Sequence, residues 1–208
     1  MSAPASETAA WPVDREFGHA TPAKLGMWIF LLSDFLSFVG LLLAYGILRG
    51  GSAVWRHPGE PALNIPFTAM LTAVLIGSSV AMLRAQDAVR RHDRRRTSIW
   101  LGVTALGGIL FLTGQYTEWF GIAGPGLIKE GLLFGRSAYA STFFVVTGFH
   151  GMHVFAGVVY ILITLGRNLA KPLSSGSLDL VALFWHFVDL VWNLVFPLVY
   201  LLPMGAGS

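Results

Sequence analysis

Four stretches place ionisable or coordinating side chains inside otherwise apolar sequence. In GMWIFLLSDFLSFVG, Gly26 to Gly40, Asp34 is the only charged residue between Lys24 and Arg49, a span of 24 positions. A carboxyl there either ties helices together by hydrogen bonding or exchanges protons. In GQYTEWF, Gln115 and Glu118 stand one turn apart, as an interhelical hydrogen bond close to water would require, and Tyr116 and Trp119 suit a membrane-interface belt. In TGFHGMHVFAG, His150 and His153 share a helix face, extended by Thr147 and Gly157. Such a pair supplies about half of a typical metal site, and no carboxylate stands beside it in the sequence. The alternative is polar packing, with Gly148, Gly151 and Gly157 permitting close helix approach. In LDLVALFWHFVDLVWNLVFPLVYLL, Asp179, His186, Asp189 and Asn193 fall within a sector of roughly 80° at about 100° per residue. A histidine with a carboxylate one turn on could hold a charge or a proton inside a dry bundle.

Composition tells what kind of element must position these groups. Hydrophobic residues make up 54% of the 208, and only 12% are charged, far below the roughly 25% of an ordinary soluble domain. Predominantly apolar runs of about 20 residues or more, enough to cross about 30 Å of hydrocarbon as helix, occur five times: 25–48, 63–83, 97–117, 137–166 and 180–202. Because the runs are continuous and lack two-residue alternation, they predict helices and not barrel strands. The expectation is an all-α, polytopic membrane protein with five transmembrane helices. Asp34, ten residues past Lys24 and so about 15 Å along the first helix, falls near mid-membrane. Pro197 removes a backbone donor and should kink or loosen the last turns of the fifth helix.

Residues 1–23 contain no basic cluster followed by an apolar core and cleavage site, so they predict a polar cytoplasmic lead-in and not a secretory signal. Residues 24–208 form the five-helix transmembrane domain, with no internal repeat. Between the second and third helices, RAQDAVRRHDRRR carries six arginines from Arg84 to Arg96. It is read as a topology determinant at the cytoplasmic surface, against anionic lipid and not nucleic acid. With that segment inside, ten basic residues lie on the inner face and four, Arg49, Arg56, Lys129 and Arg136, on the outer. The N-terminus is then inside and the C-terminus outside. There is no cysteine, which excludes disulfides, iron–sulfur clusters, thioether-linked haem and thiolate copper centres within this chain.

The segments LGMWIFLLSDFLSFVGLLLAY, GQYTEW, TGFHGMHVFAGVVY and FWHFVDLVWNLVFPLVYLL resemble, in order and in corresponding helices, the motif blocks of subunit III of the haem–copper oxidases, cytochrome c oxidase and quinol oxidase. The resemblance covers the chain from Leu25 onward and is similar to the five-helix bacterial form, which lacks the first two helices of the seven-helix form. It implies that Asp34 takes the place of a membrane-buried glutamate known for reacting with carbodiimide, one methylene shorter. Glu118, His150, His153, Trp185, His186, Asp189 and Trp192 fall on motif positions, and Asp179 sits where a glutamate is common. These are expected to join helices or contact lipid, with no catalytic residue and no metal ligand among them.

By the same resemblance the chain is a non-catalytic accessory subunit of a respiratory terminal oxidase in a bacterial inner membrane, serving aerobic electron transport. Haem and copper, and the reduction of oxygen to water, belong to partner subunits. Subunit I is the direct partner, joined by subunit II, a small subunit IV and bound phospholipid. The subunit is expected to stabilise subunit I, bind lipid and sustain proton uptake for a proton-pumping enzyme. The donor, cytochrome c or quinol, is chosen by subunits I and II. The competing reading is a b-type cytochrome or quinone-reactive anchor with His150 and His186 as haem ligands. A proton-coupled transporter built on Asp34, His186 and Asp189 lacks inverted repeats or paired broken helices.

Overall fold

A computed structural model describes residues 21–122 and 126–202. Five helices account for most of them: α1 Pro22–Gly51, α2 Ile65–Arg90, α3 Arg94–Phe120, α4 Ala138–Ala170 and α5 Ser175–Val195, the last running into a π-helical turn at Phe196–Leu201. Each is long and apolar enough to cross a membrane, and no strand occurs among the described residues. The expected lead-in at 1–23 lies outside the described residues up to position 20, and α1 begins at Pro22.

Every α-helix starts on a residue that caps it. The side chains of Thr21, Asn64, Asp93, Ser137 and Ser174 each accept a hydrogen bond from the backbone N–H three residues on, which satisfies one of the donors that a helix start leaves free. The arginine segment is less of a loop than the sequence suggests. Helix α2 continues to Arg90 and α3 begins at Arg94, so only three residues, 91–93, make the turn, with His92 at a left-handed φ of 56°. A soluble extension of both helices suits arginines better than an irregular coil, because Arg is a good helix former. Pro197 acts as expected. With no N–H to donate, it sits in the first turn of the π-helical segment, where the ladder shifts to wider bonds.

Helices α2, α3, α4 and α5 pack in a ring, and α1 lies outside it against α4 and α5. Helix α1 buries Leu31, Phe38 and Tyr45, a seven-residue repeat, with Met27 and Leu41 half-buried on the same edge. That pattern is a narrow seam, and Asp34 occupies a seam position between Leu31 and Phe38. The opposite side of α1 is bare: Trp28, Leu36 and Ile47 are all more than half exposed. At one end of the bundle Lys24 of α1 approaches Asp179 of α5 at 3.8 Å. At the other, Arg49 Nη2 donates to the Leu202 carbonyl at 2.6 Å. Helices α1 and α5 therefore run parallel, as five alternating spans demand.

Candidate functional site

Asp34 meets a partner that sequence spacing did not reveal. Its Oδ1 lies 3.0 Å from His153 Nε2 on α4, and the two side chains are only 10% and 14% exposed. His153 Nδ1 is 2.7 Å from the Phe149 carbonyl. A carbonyl only accepts, so Nδ1 carries a hydrogen. One further proton then decides the state of the pair: a neutral carboxyl donating to Nε2, or an imidazolium donating to a carboxylate. The aromatic ring of Phe38, one turn on, lies 5.3 Å from the His153 ring, and Phe149 covers it at 4.7 Å. Asp34 Oδ2 is buried with no hydrogen-bond partner among the described residues. A carboxylate thus does stand beside the histidine pair, contrary to the expectation from α4 alone. Further along α1, Tyr45 is buried, whereas Ser37, three residues past Asp34, is exposed and turns its hydroxyl back to the Ser33 carbonyl.

His150 shares a helix face with His153 but points into the ring of helices. It is fully buried, lies flat on Trp192 with centroids 4.8 Å apart, and meets the Phe111 ring edge-on at 5.7 Å. Neither ring nitrogen has a partner among the described residues. The faces and edge of its ring are taken by Trp192 and Phe111, and no aromatic contact or hydrogen bond among the described residues joins His150 to His186.

Glu118 is a junction. Its Oε1 accepts from the Thr68 hydroxyl of α2 at 3.0 Å, and its Oε2 accepts from Gln115 Nε2 and the Tyr200 hydroxyl, each at 2.9 Å. The interhelical bond expected here exists, but Gln115 and Glu118 are buried rather than close to water. The group joins α2, α3 and the π-helical turn.

The polar sector expected along α5 separates into independent parts. Asp179 sits at the arginine-bearing end, accepting from Gln86 Nε2 at 2.9 Å with Lys24 and Arg90 at 3.8 and 3.7 Å. His186 and Asp189 are half-buried and form no ion pair; His186 Nε2 and Asp189 Oδ1 have no partner among the described residues. Asn193 is exposed and donates to the Asp189 carbonyl of its own helix. The expected histidine–carboxylate pair therefore lies between α4 and α1, and not within α5.

The two tryptophans of this helix are packing residues with satisfied N–H groups. Trp185 Nε1 donates to Ser78 Oγ at 3.1 Å and Trp192 Nε1 to Thr72 Oγ1 at 2.9 Å, both on α2. The Trp185 ring is gripped between two glycines. A Cβ on Gly108 of α3 would sit 2.6 Å from its Cη2, and one on Gly157 of α4 would sit 2.9 Å from its Cε3. Gly157 thus does permit close approach, as expected, and Gly148 would bring a Cβ to 3.2 Å from Trp119; a Cβ on Gly151 meets no described atom within 4 Å. Thr68, Thr72, Ser78, Gly108 and Tyr200 escaped the sequence reading. Their signal was the N–H of each buried tryptophan and the carboxyl of Glu118, which need partners somewhere.

Among the described residues no three His, Cys, Asp or Glu side chains are grouped to hold a metal ion. The fold defines a polytopic α-helical membrane protein in which Asp34, Glu118, Asp179, Trp185 and Trp192 bridge one helix to another.

Comparison with known proteins agrees with the motifs. The family description "Cytochrome c oxidase subunit III" matches residues 14–204. The cytochrome c oxidase subunit 3 of Synechocystis sp. is 37% identical over 189 residues, covering 89% of this chain and 78% of the relative. That of Thermostichus vulcanus is 34% identical over 202 residues, covering 95% and 96%. The cytochrome bo(3) ubiquinol oxidase subunit 3 of Pseudomonas aeruginosa is 33% identical over 184 residues, covering 87% and 84%. The chain belongs to the cytochrome c oxidase subunit III family. It is an accessory subunit of an oxygen-reducing terminal oxidase, a membrane-bound complex of several subunits.

Proposed function

We infer that this subunit works in a bacterial inner membrane, N-terminus inside, packed directly on the oxygen-reducing subunit I beside subunit II and a small subunit IV. Its task is to stabilise subunit I and to sustain proton uptake, with phospholipid bound at its surface and haem and copper held by its partners. The orientation is supported by the basic residues: Arg84 to Arg96, Arg167 and Lys171 share one end of the bundle with Lys24, while Arg49 marks the other. Such asymmetry supports a cytoplasmic position for the arginine-rich end.

The observation that carries the proton role is the Asp34–His153 contact, 3.0 Å between Oδ1 and Nε2 in an apolar surround. An ionisable pair at membrane depth is costly, and partnership is what makes it tolerable. The pair has one exchangeable proton position, and the outer face of α1 beside it is open to a partner. The test is an oxidase complex carrying Asp34→Asn, with oxygen consumption and proton uptake followed over many turnovers. Intact assembly with slower proton uptake or earlier inactivation supports the role. Unchanged uptake and lifetime would leave Asp34 a packing residue.

A further inference from the structure

The arginine-bearing ends of α2 and α3 enclose a pocket of about 460 Å³, remote from the Asp34 pair. Its lip holds Asp87 of α2, Arg91 and Asp93 of the turn and Arg96 of α3, and its deeper wall holds Arg84, Ile99 and Trp100. The two acids are already matched: Asp87 lies 3.1 Å from Arg91, and Asp93 lies 3.2 Å from Arg96. Arg84 makes no ion pair or side-chain hydrogen bond among the described residues. It lies six residues inside the end of α2, as Trp100 lies six inside the start of α3, so both reach about 9 Å into the bundle from the turn. Three arginines against two aspartates leave the pocket one positive charge in excess, located at the depth where a tryptophan belt sits.

The membrane side of the pocket continues as two apolar stripes. On α2, Ile76 and Val80 precede Arg84 at four-residue spacing. On α3, Val103, Leu106 and Leu110 follow Ile99 on one face, and all of these apolar residues are 43% exposed or more. A ligand that fits must combine one negative charge, geometry suited to a guanidinium fork, and long apolar tails.

We propose that this pocket binds the phosphodiester headgroup of a singly charged anionic phospholipid, with Arg84 selecting the headgroup and the acyl chains lying along the α2 and α3 stripes. A zwitterionic lipid gains less, because the acids that its ammonium would seek are engaged by Arg91 and Arg96. Free phosphate meets the same guanidinium but leaves the stripes unused. The inference does not rest on the role of Asp34.

The test is native mass spectrometry of the detergent-extracted complex containing the full chain, offered phosphatidylglycerol, phosphatidylethanolamine or inorganic phosphate. Phosphatidylglycerol is expected to be retained in preference to phosphatidylethanolamine and not displaced by inorganic phosphate. Arg84→Gln should lower its retention about fivefold, the order expected for one basic residue near a charged lipid, and Arg136→Gln at the opposite end should not change it. Equal retention of the two lipids, displacement by phosphate alone, or unaltered retention in Arg84→Gln would overturn the proposal. Should Arg84→Gln not assemble, phosphatidylglycerol with a photoreactive acyl chain decides on the native complex. Crosslinks to residues 76–84 or 99–110 support the site, and crosslinks confined to other helices refute it.

Discussion

His153 of α4 reaches Asp34 of α1 at 3.0 Å, joining the outermost helix to the ring at the only charged position in its apolar run. The imidazole is oriented by its second nitrogen, held to the Phe149 carbonyl. Asp34 therefore presents one oxygen to a fixed partner and keeps the other, Oδ2, without one among the described residues. This is where the accessory subunit holds a carboxyl within a membrane-length apolar helix.

Asp34→Asn keeps the shape of the side chain and removes its titratable proton. The complex is expected to assemble, while labelling by a hydrophobic carbodiimide, read by peptide mass spectrometry, disappears from the α1 peptide. Continued labelling of that peptide in the variant would show that the reactive carboxyl is elsewhere.

His153→Leu leaves Asp34 buried without its partner, and such orphaned groups cost about 1–3 kcal/mol. Thermal unfolding of the purified complex should show a lowered midpoint. Combining it with Asp34→Leu should restore most of the loss, because two apolar side chains replace a polar pair at little net cost. A double variant as unstable as the single one would mean that the pair is not coupled in this way.

Much of this arrangement was legible in the sequence, for a physical reason. The bilayer demands long apolar helices, so all five spans could be read from composition, and the boundaries differ mainly where helices project past the hydrocarbon, as at Ala85 to Arg90. Pairing was harder. His186 and Asp189 lie one turn apart on one helix and do not bond, whereas Asp34 and His153 stand more than a hundred residues apart in the sequence. A depth count would have helped. Asp34 lies ten residues past Lys24 and His153 fourteen before Arg167, a difference of about 6 Å on antiparallel helices. The glycines that mattered were equally hidden, since Gly108 and Gly151 look alike in sequence and only one faces a tryptophan.

Gly108→Ala and Gly157→Ala should each destabilise the bundle by about 1–3 kcal/mol through overpacking against Trp185. Gly151→Ala should be neutral or slightly stabilising, since its Cβ enters open space and alanine favours helix. Denaturation of the three variants in detergent ranks them; equal behaviour would contradict the close packing of α3 and α4 around Trp185.

Glu118→Ala deprives Gln115 and Tyr200 of their carboxylate acceptor and leaves the Thr68 hydroxyl only the Asn64 carbonyl of its own helix. The loss should be on the order of 3 kcal/mol, against about 1 kcal/mol for Tyr200→Phe, which removes one donor and leaves the carboxyl two others. Limited proteolysis and thermal unfolding should place Glu118→Ala well below Tyr200→Phe; the reverse order would deny Glu118 its role as the junction.

The proposed role requires that this chain complete an oxygen-reducing complex without binding a redox group itself. The most direct measurement is haem and copper stoichiometry after affinity purification through a tag on this chain, before and after the chain is stripped away by detergent. The predicted result is a co-purifying haem-containing oxidase whose haem and copper content per subunit I is unchanged when the chain is removed, and a separated chain with no Soret band. Haem retained on the separated chain, or lost from the complex with it, would contradict the account.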